Sequence, residues 1–521
     1  MMRIFTYVTI FCLSHCAVAQ TSYKRAHRKM VKQLFKALDY EDYVEADELT
    51  DTLIKLFPDN PDIKYAKGRC FLKTKNQEDS AYFYFSTITN KNKYDDFNYY
   101  LANSFIWHNE FDKAISAAQA SLEEEHINVD ADTKLELLNQ CYESKEMVKA
   151  KSPHWIRNLS LINTPFQESV PVVEPNNEQF MFFTSRRPNR QFKEVDHNGD
   201  YFQDIYFAKM GKSQFYAPIF LGLLNEPLHD AAVSISHDGS QFIYFKTDSN
   251  NFANGDLYVA MIDSSGNIMS NKKLPSQINS PYVESSACFS NDGEILYFSS
   301  NRPGGYGGFD LYFCRKLPNG QWAKEQNLGP IINTKSNEDG PNISADGMTL
   351  FFCSDGHKGM GGFDIFKSKL DIDGSIGLPE NMGYPINSIY HDMYFQSCAD
   401  YHNAYFSSGR KGGIGGDDLY KVHIREPSDL LKIIPLYLND NDGNNIKGQI
   451  LLLNLDSKKL VGDYSTNSKN GKAVLYFNPE LNYQLLIRAE GYHNKTLNFN
   501  GKYVSLDDLD ELKIELKKLN P

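Results

Sequence analysis

Leu296-Tyr-Phe-Ser-Ser-Asn-Arg302-Pro-Gly-Gly-Tyr-Gly-Gly-Phe-Asp310-Leu-Tyr312 reads as an aromatic strand, a glycine-rich loop and the opening of a second strand. It returns as Ala404-Tyr-Phe-Ser-Ser-Gly-Arg410-Lys-Gly-Gly-Ile-Gly-Gly-Asp-Asp418-Leu-Tyr420. Working outward, the same frame occurs five times between Asn163 and Ile424. Each copy opens on Asn163, Asn225, Asn279, Asn333 or Asn387, with an acid five residues later: Glu168, Asp230, Glu284, Glu338 and Asp392. The last four Asn are 54 residues apart, and the first step of 62 holds an insertion near Asn189 to Asp200. Repeats this long built from short aromatic strands are the signature of propeller blades.

Each copy reads as four strands. In the third they are Ser285 to Ser290, Glu294 to Ser299, Asp310 to Arg315 and Gln321 to Leu328. Asp292-Gly293 makes the first hairpin turn, repeated at Asp238-Gly239 and Asp346-Gly347, where glycine supplies the positive φ that such turns need. The other copies have Asn177-Glu178 and Asp400-Tyr401 and require another turn geometry. The last copy has no outer strand of its own, whereas Trp155 to Ile162 precedes the first. The expectation is a ring of five blades, six being the alternative, with the N-terminal strand completing the last blade and removing two open edges.

Up-and-down strand connectivity gathers Glu168, Asp230, Glu284, Glu338 and Asp392 on one face with Arg187, Arg302 and Arg410, and with Asp204, Asp256, Asp310, Asp364 and Asp418 at the third strands. Two readings follow. The charges pair within and between blades, or an axial ring of carboxylates holds a cation or recognises a basic partner. No Gly-x-Ser-x-Gly elbow, His-Glu-x-x-His helix or Walker loop is present, so no catalytic residue, cofactor or metal is assigned.

Residues 22–150 read as helical with a 34-residue period. Frames from His27, Pro61 and Asp95 share small or aromatic positions: Leu34, Gly68 and Ala102, then Ala37, Phe71 and Phe105. A final hairpin is expected over Asp130 to Lys151, with Leu135, Leu138 and Tyr142 as its apolar residues. Tyr65, Tyr99 and Trp107 either face a partner or fill helix interfaces. From 430 to 521, strands are expected at Ile433 to Leu438, Gly448 to Leu455, Lys472 to Phe477, Tyr483 to Ala489 and Leu512 to Lys517. Asp440-Asn-Asp442-Gly443 has the look of a calcium loop without its closing Glu, and a plain turn is the simpler reading.

These motifs carry resemblances. The glycine-rich frame over 155–425 resembles the TolB-like, WD40-like propeller repeat of bacterial envelope proteins. The helical frames resemble a short tetratricopeptide array. Gly448-Gln-Ile, Asn470-Gly471-Lys-Ala-Val-Leu and Tyr483-Gln-Leu-Leu-Ile-Arg-Ala-Glu-Gly491-Tyr492 resemble the carboxypeptidase regulatory-like β-sandwich. The fold class is therefore multidomain: an all-α tetratricopeptide array, an all-β propeller and a small β-sandwich.

Residues 1–19 read as a secretory signal peptide, with an apolar stretch from Ile4 to Leu13 and Ala17-Val18-Ala19 before Gln20. His15 before Cys16 spoils the lipobox alternative. The six later cysteines, Cys70, Cys141, Cys288, Cys314, Cys353 and Cys398, are scattered and read as buried small apolar residues. With 66 acids against 54 bases the chain is acidic, which argues against general nucleic-acid binding. No later segment has the ~20 apolar residues of a membrane span.

The domain order is similar to that of PorE-type periplasmic proteins associated with the type IX secretion system of Bacteroidetes. That resemblance implies a non-enzymatic scaffold in the periplasm or at the periplasmic face of the outer membrane, whose partners are envelope or secretion-complex proteins. Members of that group usually continue into an OmpA-like peptidoglycan-binding domain that the resemblance does not reach here, so direct cell-wall binding is not expected. The competing reading is a glycan-binding or hydrolytic propeller with its site in the axial funnel.

Overall fold

The computed structural model describes residues 25–519 except 74–77, 91–92, 95, 125–127, 176–177, 190, 192–193, 197–198, 213, 249–250, 372–374, 399–402, 425–431, 456–457, 468–469, 478–480 and 501–510. The expected signal peptide, Asn177 and the Asp400-Tyr401 turn lie outside the described residues. The chain divides into two units between Glu146 and Met147.

The first unit is helical: α1 (Arg25–Asp39), α2 (Tyr43–Leu56), α3 (Pro61–Lys73), α4 (Glu78–Ser86), α5 (Phe97–Ile106), α6 (Phe111–Leu122) and α7 (Ala131–Lys149). Three of these helices start at side-chain caps. Asp42 Oδ1 accepts from Glu45 N at 3.0 Å, Asn60 Oδ1 from Asp62 N at 2.9 Å just ahead of Pro61 in the first turn, and Asp130 Oδ1 from Thr133 N at 2.8 Å. The shared small positions lie inside: Leu34, Ala37 and Ala102 are buried, and a Cβ on Gly68 would sit 2.8 Å from the Phe85 ring, so α3 and α4 cross where glycine stands.

One expectation for this unit is corrected. The segment after Asp130 is one helix instead of a hairpin, since Ala131 to Lys149 contains no Gly or Pro to turn it. Its inward stripe is Lys134, Leu137, Cys141 and Ser144, while Leu135 and Tyr142 are exposed. Tyr65 is buried and stacks on Tyr94 with ring centroids 4.4 Å apart, so it fills an interface.

The second unit opens with five four-stranded antiparallel sheets. The first holds β2 (Glu168–Val173), β3 (Phe180–Ser185), β4 (Asp204–Lys209) and β5 (Ile219–Phe220). The second holds β6 (Asp230–Ile235), β7 (Gln241–Asp248), β8 (Asn251–Ile262) and β9 (Ile268–Lys273). The third holds β10 (Glu284–Phe289), β11 (Ile295–Ser300), β12 (Asp310–Arg315) and β13 (Gln326–Asn327). The fourth holds β14 (Glu338–Ile343), β15 (Thr349–Ser354), β16 (Asp364–Lys369) and β17 (Glu380–Asn381). The fifth holds β18 (Asp392–Ser397), β19 (Asn403–Ser408) and β20 (Asp418–His423), and its outer strand is β1 (Trp155–Asn158), paired from Trp155 opposite His423 to Asn158 opposite Tyr420.

The inner strands β2, β6, β10, β14 and β18 neighbour one another in that order and back to β2. The result is a propeller-like domain. Each second strand carries a central run of aromatic and aliphatic residues, and Phe182, Tyr244, Phe298, Phe352 and Phe406 are fully buried between sheets. The three Asp-Gly turns are alike, with glycine φ of 68°, 73° and 72°. In each, the Asp carboxylate takes a nearby Ser hydroxyl and a backbone N–H, as Asp292 does from Ser290 and Glu294.

Outer strands are shorter than the Gln321 to Leu328 expectation. The regular ladder with β12 is confined to Gln326–Asn327: at one end the Leu311 N–H is taken by the Asn333 side chain, and toward the other only single contacts remain, such as Ala323 N to the Arg315 carbonyl at 2.8 Å.

Beyond the propeller-like sheets, β21 (Lys432–Asp440) lies between β24 (Lys472–Phe477) and β27 (Leu512–Leu516), parallel to the latter. A second sheet runs β23 (Lys459–Ser465), β22 (Gln449–Asn454), β25 (Asn482–Arg488) and β26 (Lys495–Asn500). The two share one apolar core that includes Leu436, Ile450, Leu475, Leu485 and Ile514. Strands β23 and β26 were not expected. At Asp440 the geometry is a turn closed by an ammonium: Lys518 Nζ lies 2.9 Å from Asp440 and 2.7 Å from Asp442. All six later cysteines are buried. Among the described residues no helix is long and apolar enough to cross a membrane.

Candidate functional site

The repeated Asn is a clasp. Its amide replaces a strand by giving and taking one hydrogen bond with a single residue of the preceding sheet's third strand. Asn225 pairs this way with Ile205 (2.7 and 2.9 Å), Asn279 with Leu257 (2.9 and 2.9 Å), Asn333 with Leu311 (2.8 and 3.0 Å) and Asn387 with Ile365 (2.8 and 2.8 Å). Asn163 does the same to Leu419 of the last sheet, at 2.9 Å for each bond. A clasp that links neighbours elsewhere therefore joins the first copy to the fifth.

The acid five residues on opens each inner strand and is fully buried or nearly so. Glu284 accepts from Ser280 N at 2.9 Å, Ser280 Oγ at 2.6 Å, Ser300 Oγ at 2.8 Å and Arg302 Nη2 at 3.0 Å. Glu168 lies 3.1 Å from Arg187, and Asp392 lies 2.6 Å from Arg410. Each guanidinium also lies over two rings of its own sheet: Arg187 over Phe183 and Tyr206, Arg302 over Phe298 and Tyr312, Arg410 over Phe406 and Tyr420. Their other donors go to Ser185, Ser300 and Ser408 and to backbone carbonyls such as Ile162 at 2.7 Å and Ile386 at 2.6 Å. The arginine side chains are only 14%, 9% and 15% exposed. The structure thus brings three of the five acids each to an arginine of its own sheet, in separate nests.

Two copies depart from this. In the fourth, His357 stands in for arginine, its Nε2 2.7 Å from the Ile332 carbonyl, and burial raises the proton affinity of Glu338. In the second, Lys246 occupies the register position opposite Asp230 but pairs with Glu226, and burial pushes the Asp230 carboxyl up to about 8. Burial likewise raises Asp204 to about 7 and Asp364 to about 8.

The third-strand acids organise the glycine-rich loops. Asp310 accepts from Tyr306 N at 2.6 Å, Gly307 N at 3.0 Å and Asn327 Nδ2 at 2.7 Å, and Asp418 repeats the pattern with Ile414, Gly415 and Asn158. Asp256 instead meets Lys273 at 2.5 Å. The loop is pressed on the next connector. A Cβ on Gly307 would fall 2.1 Å from the Ser336 carbonyl oxygen, and one on Gly415 would fall 1.8 Å from that of Phe166. Glycine is required there by contact.

Along the axis lies a cavity of about 20 Å³ bounded by Val170, Ser234, Ser286, Asn342, Tyr394 and Gln396, one or more from each inner strand. It has room for one water-sized occupant. Behind Ser286 sits Asp339, accepting from Ser285 Oγ at 2.9 Å, from Ser286 Oγ and from Gly340 N at 2.8 Å, with Tyr394 OH at 3.5 Å; burial raises its proton affinity. Sequence reasoning missed Asp339, although an acid directly after the repeated Glu338 is a visible departure from the other copies. Among the described residues no group of three or more His, Cys, Asp or Glu side chains is placed to hold a metal ion.

No family model matches this chain and no curated protein matches it. Solved structures with similar strand arrangements include a TolB-like protein described as putative TolB from Agrobacterium tumefaciens, 16% identical, covering 62% of this chain and 97% of its own, with a TM-score of 0.31. An α-L-arabinofuranosidase from Lactobacillus brevis is 12% identical over 51% of this chain and 92% of its own, TM-score 0.35. An endo-arabinase from Bacteroides thetaiotaomicron is 12% identical over 50% and 98%, TM-score 0.32. Likenesses at this level carry no inference about chemistry, and the propeller-like description rests on the sheets themselves.

Proposed function

We propose that this chain is a non-enzymatic scaffold of the periplasm or of the periplasmic face of the outer membrane, working through contacts with envelope or secretion-complex proteins. We read the five sheets as blades of one ring closed by β1, the helical unit as a tetratricopeptide-like array and the C-terminal sheets as a regulatory-like sandwich. One observation carries the scaffold reading: in the first, third and fifth sheets the repeated acid and arginine satisfy each other inside their own sheet. A face built this way is a stiff platform for the loops above it, where Phe166, Tyr282, Tyr306 and Ile414 are exposed. Rigid aromatic side chains on an ordered surface are effective anchors for a protein partner.

The rival reading places a glycan site in the axial funnel. It must fit a sugar into a cavity of about 20 Å³, whereas small-molecule pockets commonly reach ~300 Å³ or more. The test is affinity purification of the tagged chain from native envelopes, alongside an assay on a panel of plant and bacterial glycans. Stable co-purification of envelope proteins with no glycan turnover supports the scaffold. Hydrolysis of any glycan that follows the purified protein through successive columns would replace it.

A further inference from the structure

The C-terminal domain touches the propeller-like sheets at positions that are themselves a repeat. Asn467 Nδ2 donates to the Asp238 carbonyl at 3.0 Å and Lys447 Nζ to the Asp292 carbonyl at 3.2 Å, while the Asp346 carbonyl accepts from Asp463 N at 3.0 Å. These carbonyls are spaced by 54 residues and belong to the same Asp-Gly turn in three successive sheets. The backbones come close, since a Cβ on Gly347 would lie 3.3 Å from the Asp463 carbonyl oxygen.

The charges at this contact are poorly matched. Gln449 Nε2 donates to the Asp463 carboxylate at 3.1 and 3.0 Å, but the ionisable groups acting on it from the turns are the acids Asp292 and Asp346. Among the described residues no Lys or Arg contacts that carboxylate. Lys447 directs its ammonium to a carbonyl instead. His237, beside the Asp238-Gly239 turn, is held toward its neutral form by burial, against the pull of Asp238 and Glu174. Burial first, then the two acids, push Asp463 up to about 6.

We propose that the C-terminal domain is held on the propeller-like sheets by a proton-sensitive latch at Asp463, closed while its carboxyl keeps the proton and loosened when it ionises against Asp292 and Asp346. The sign follows from linkage. A carboxyl whose proton affinity is higher in the docked state favours docking at low pH and withdraws that support as pH rises through about 6.

Hydrogen exchange on the full chain at pH 5 and pH 8, corrected for intrinsic rates, tests this. In the unaltered protein the amides of 346–347 and 462–467 should exchange roughly tenfold faster at pH 8, solvent screening at the interface edge included. Asp463→Asn keeps an acceptor for Gln449 and loses the charge, so its protection should be equal at both pH values. Should that variant fold poorly, Asp292→Asn combined with Asp346→Asn, which leaves Asp463 in place, should shrink the pH response. Equal protection of the unaltered protein at the two pH values, or an undiminished response in either variant, would overturn the latch.

Discussion

At the scale of single residues, the repeated positions earn their recurrence by filling backbone needs. Asn279 satisfies the Leu257 N–H and shares the Leu257 carbonyl with the Leu274 N–H, which reaches it at 3.0 Å. Asn279→Ala leaves the buried Leu257 N–H unmet, and a loss of about 1–3 kcal/mol in denaturant unfolding is expected. The charged pairs behave likewise. Changing Glu284, Glu338 and Asp392 together to their amides should lower stability markedly, because Arg410 stays buried without a counter-charge and Arg302 keeps only Glu325, at 3.6 Å. A triple variant that melts normally yet loses its envelope partners would instead assign these acids to binding. Asp364 has the opposite character. Its folded proton affinity lies near 8, above the usual carboxylate range, so the folded state binds the extra proton between about pH 4 and 8 and stability falls as pH rises across that window. The Gly361 N–H also acts on this carboxylate, while the hydrogen bonds from Met360 N and Asn381 Nδ2 go to one and the same oxygen. Asp364→Asn can keep them, and thermal melts should show a flatter pH profile with a gain of at least about 1 kcal/mol at pH 9. An unchanged profile would show that Asp364 is not the group responsible.

At the scale of elements, closure is the decisive event, and several contacts share it. Strand β1 pairs with β20, Asn163 clasps Leu419, Gln396 donates to the Val173 carbonyl at 3.0 Å and accepts from its N–H at 2.7 Å, and Lys421 meets Glu178 at 2.7 Å. Removing Trp155–Asn158 exposes the β20 edge while leaving the other contacts. The expected result is aggregation, or loss of a single sharp unfolding transition. A deletion that stays soluble with an unchanged melt would show that the remaining clasps suffice. In the helical unit, α5 and α7 are tied by a fully buried pair, Lys134 Nζ 2.6 Å from Asp96 Oδ1. Asp96 also accepts from Asn128 N and Val129 N. Asp96→Ala strands the ammonium and should cost about 3–5 kcal/mol in a helix-monitored melt, whereas replacement of both partners by apolar residues should recover part of that loss.

At the scale of the whole molecule, what was legible in the sequence was whatever repeats or alternates. The 54-residue spacing located the sheets, the apolar second strands located their interior, and the shared small positions located the helix crossings, because burial selects residue type directly. Strands β23 and β26 went unseen because they are polar and partly exposed, and an edge position asks little of its side chains. The Asp130 segment was misread because apolar residues alone cannot separate a hairpin from one long helix. The eight charged candidates were placed on a common face by the up-and-down connectivity of the strands, but connectivity gives only the end of the sheet at which a residue lies. Whether Glu284 looks into a channel or into Arg302 depends on where the Ser280 connector folds back, and that is a tertiary fact. The sequence by itself determined the number of copies, their strand content and the residues able to satisfy one another. Only the tertiary structure decided that the first Asn closes on the last sheet, that three of the acids are paired in separate nests, and that Asp463 of the C-terminal domain meets the turns of the repeat. Those contacts join residues up to 256 positions apart, and no local pattern fixes which distant backbone group a side chain will reach.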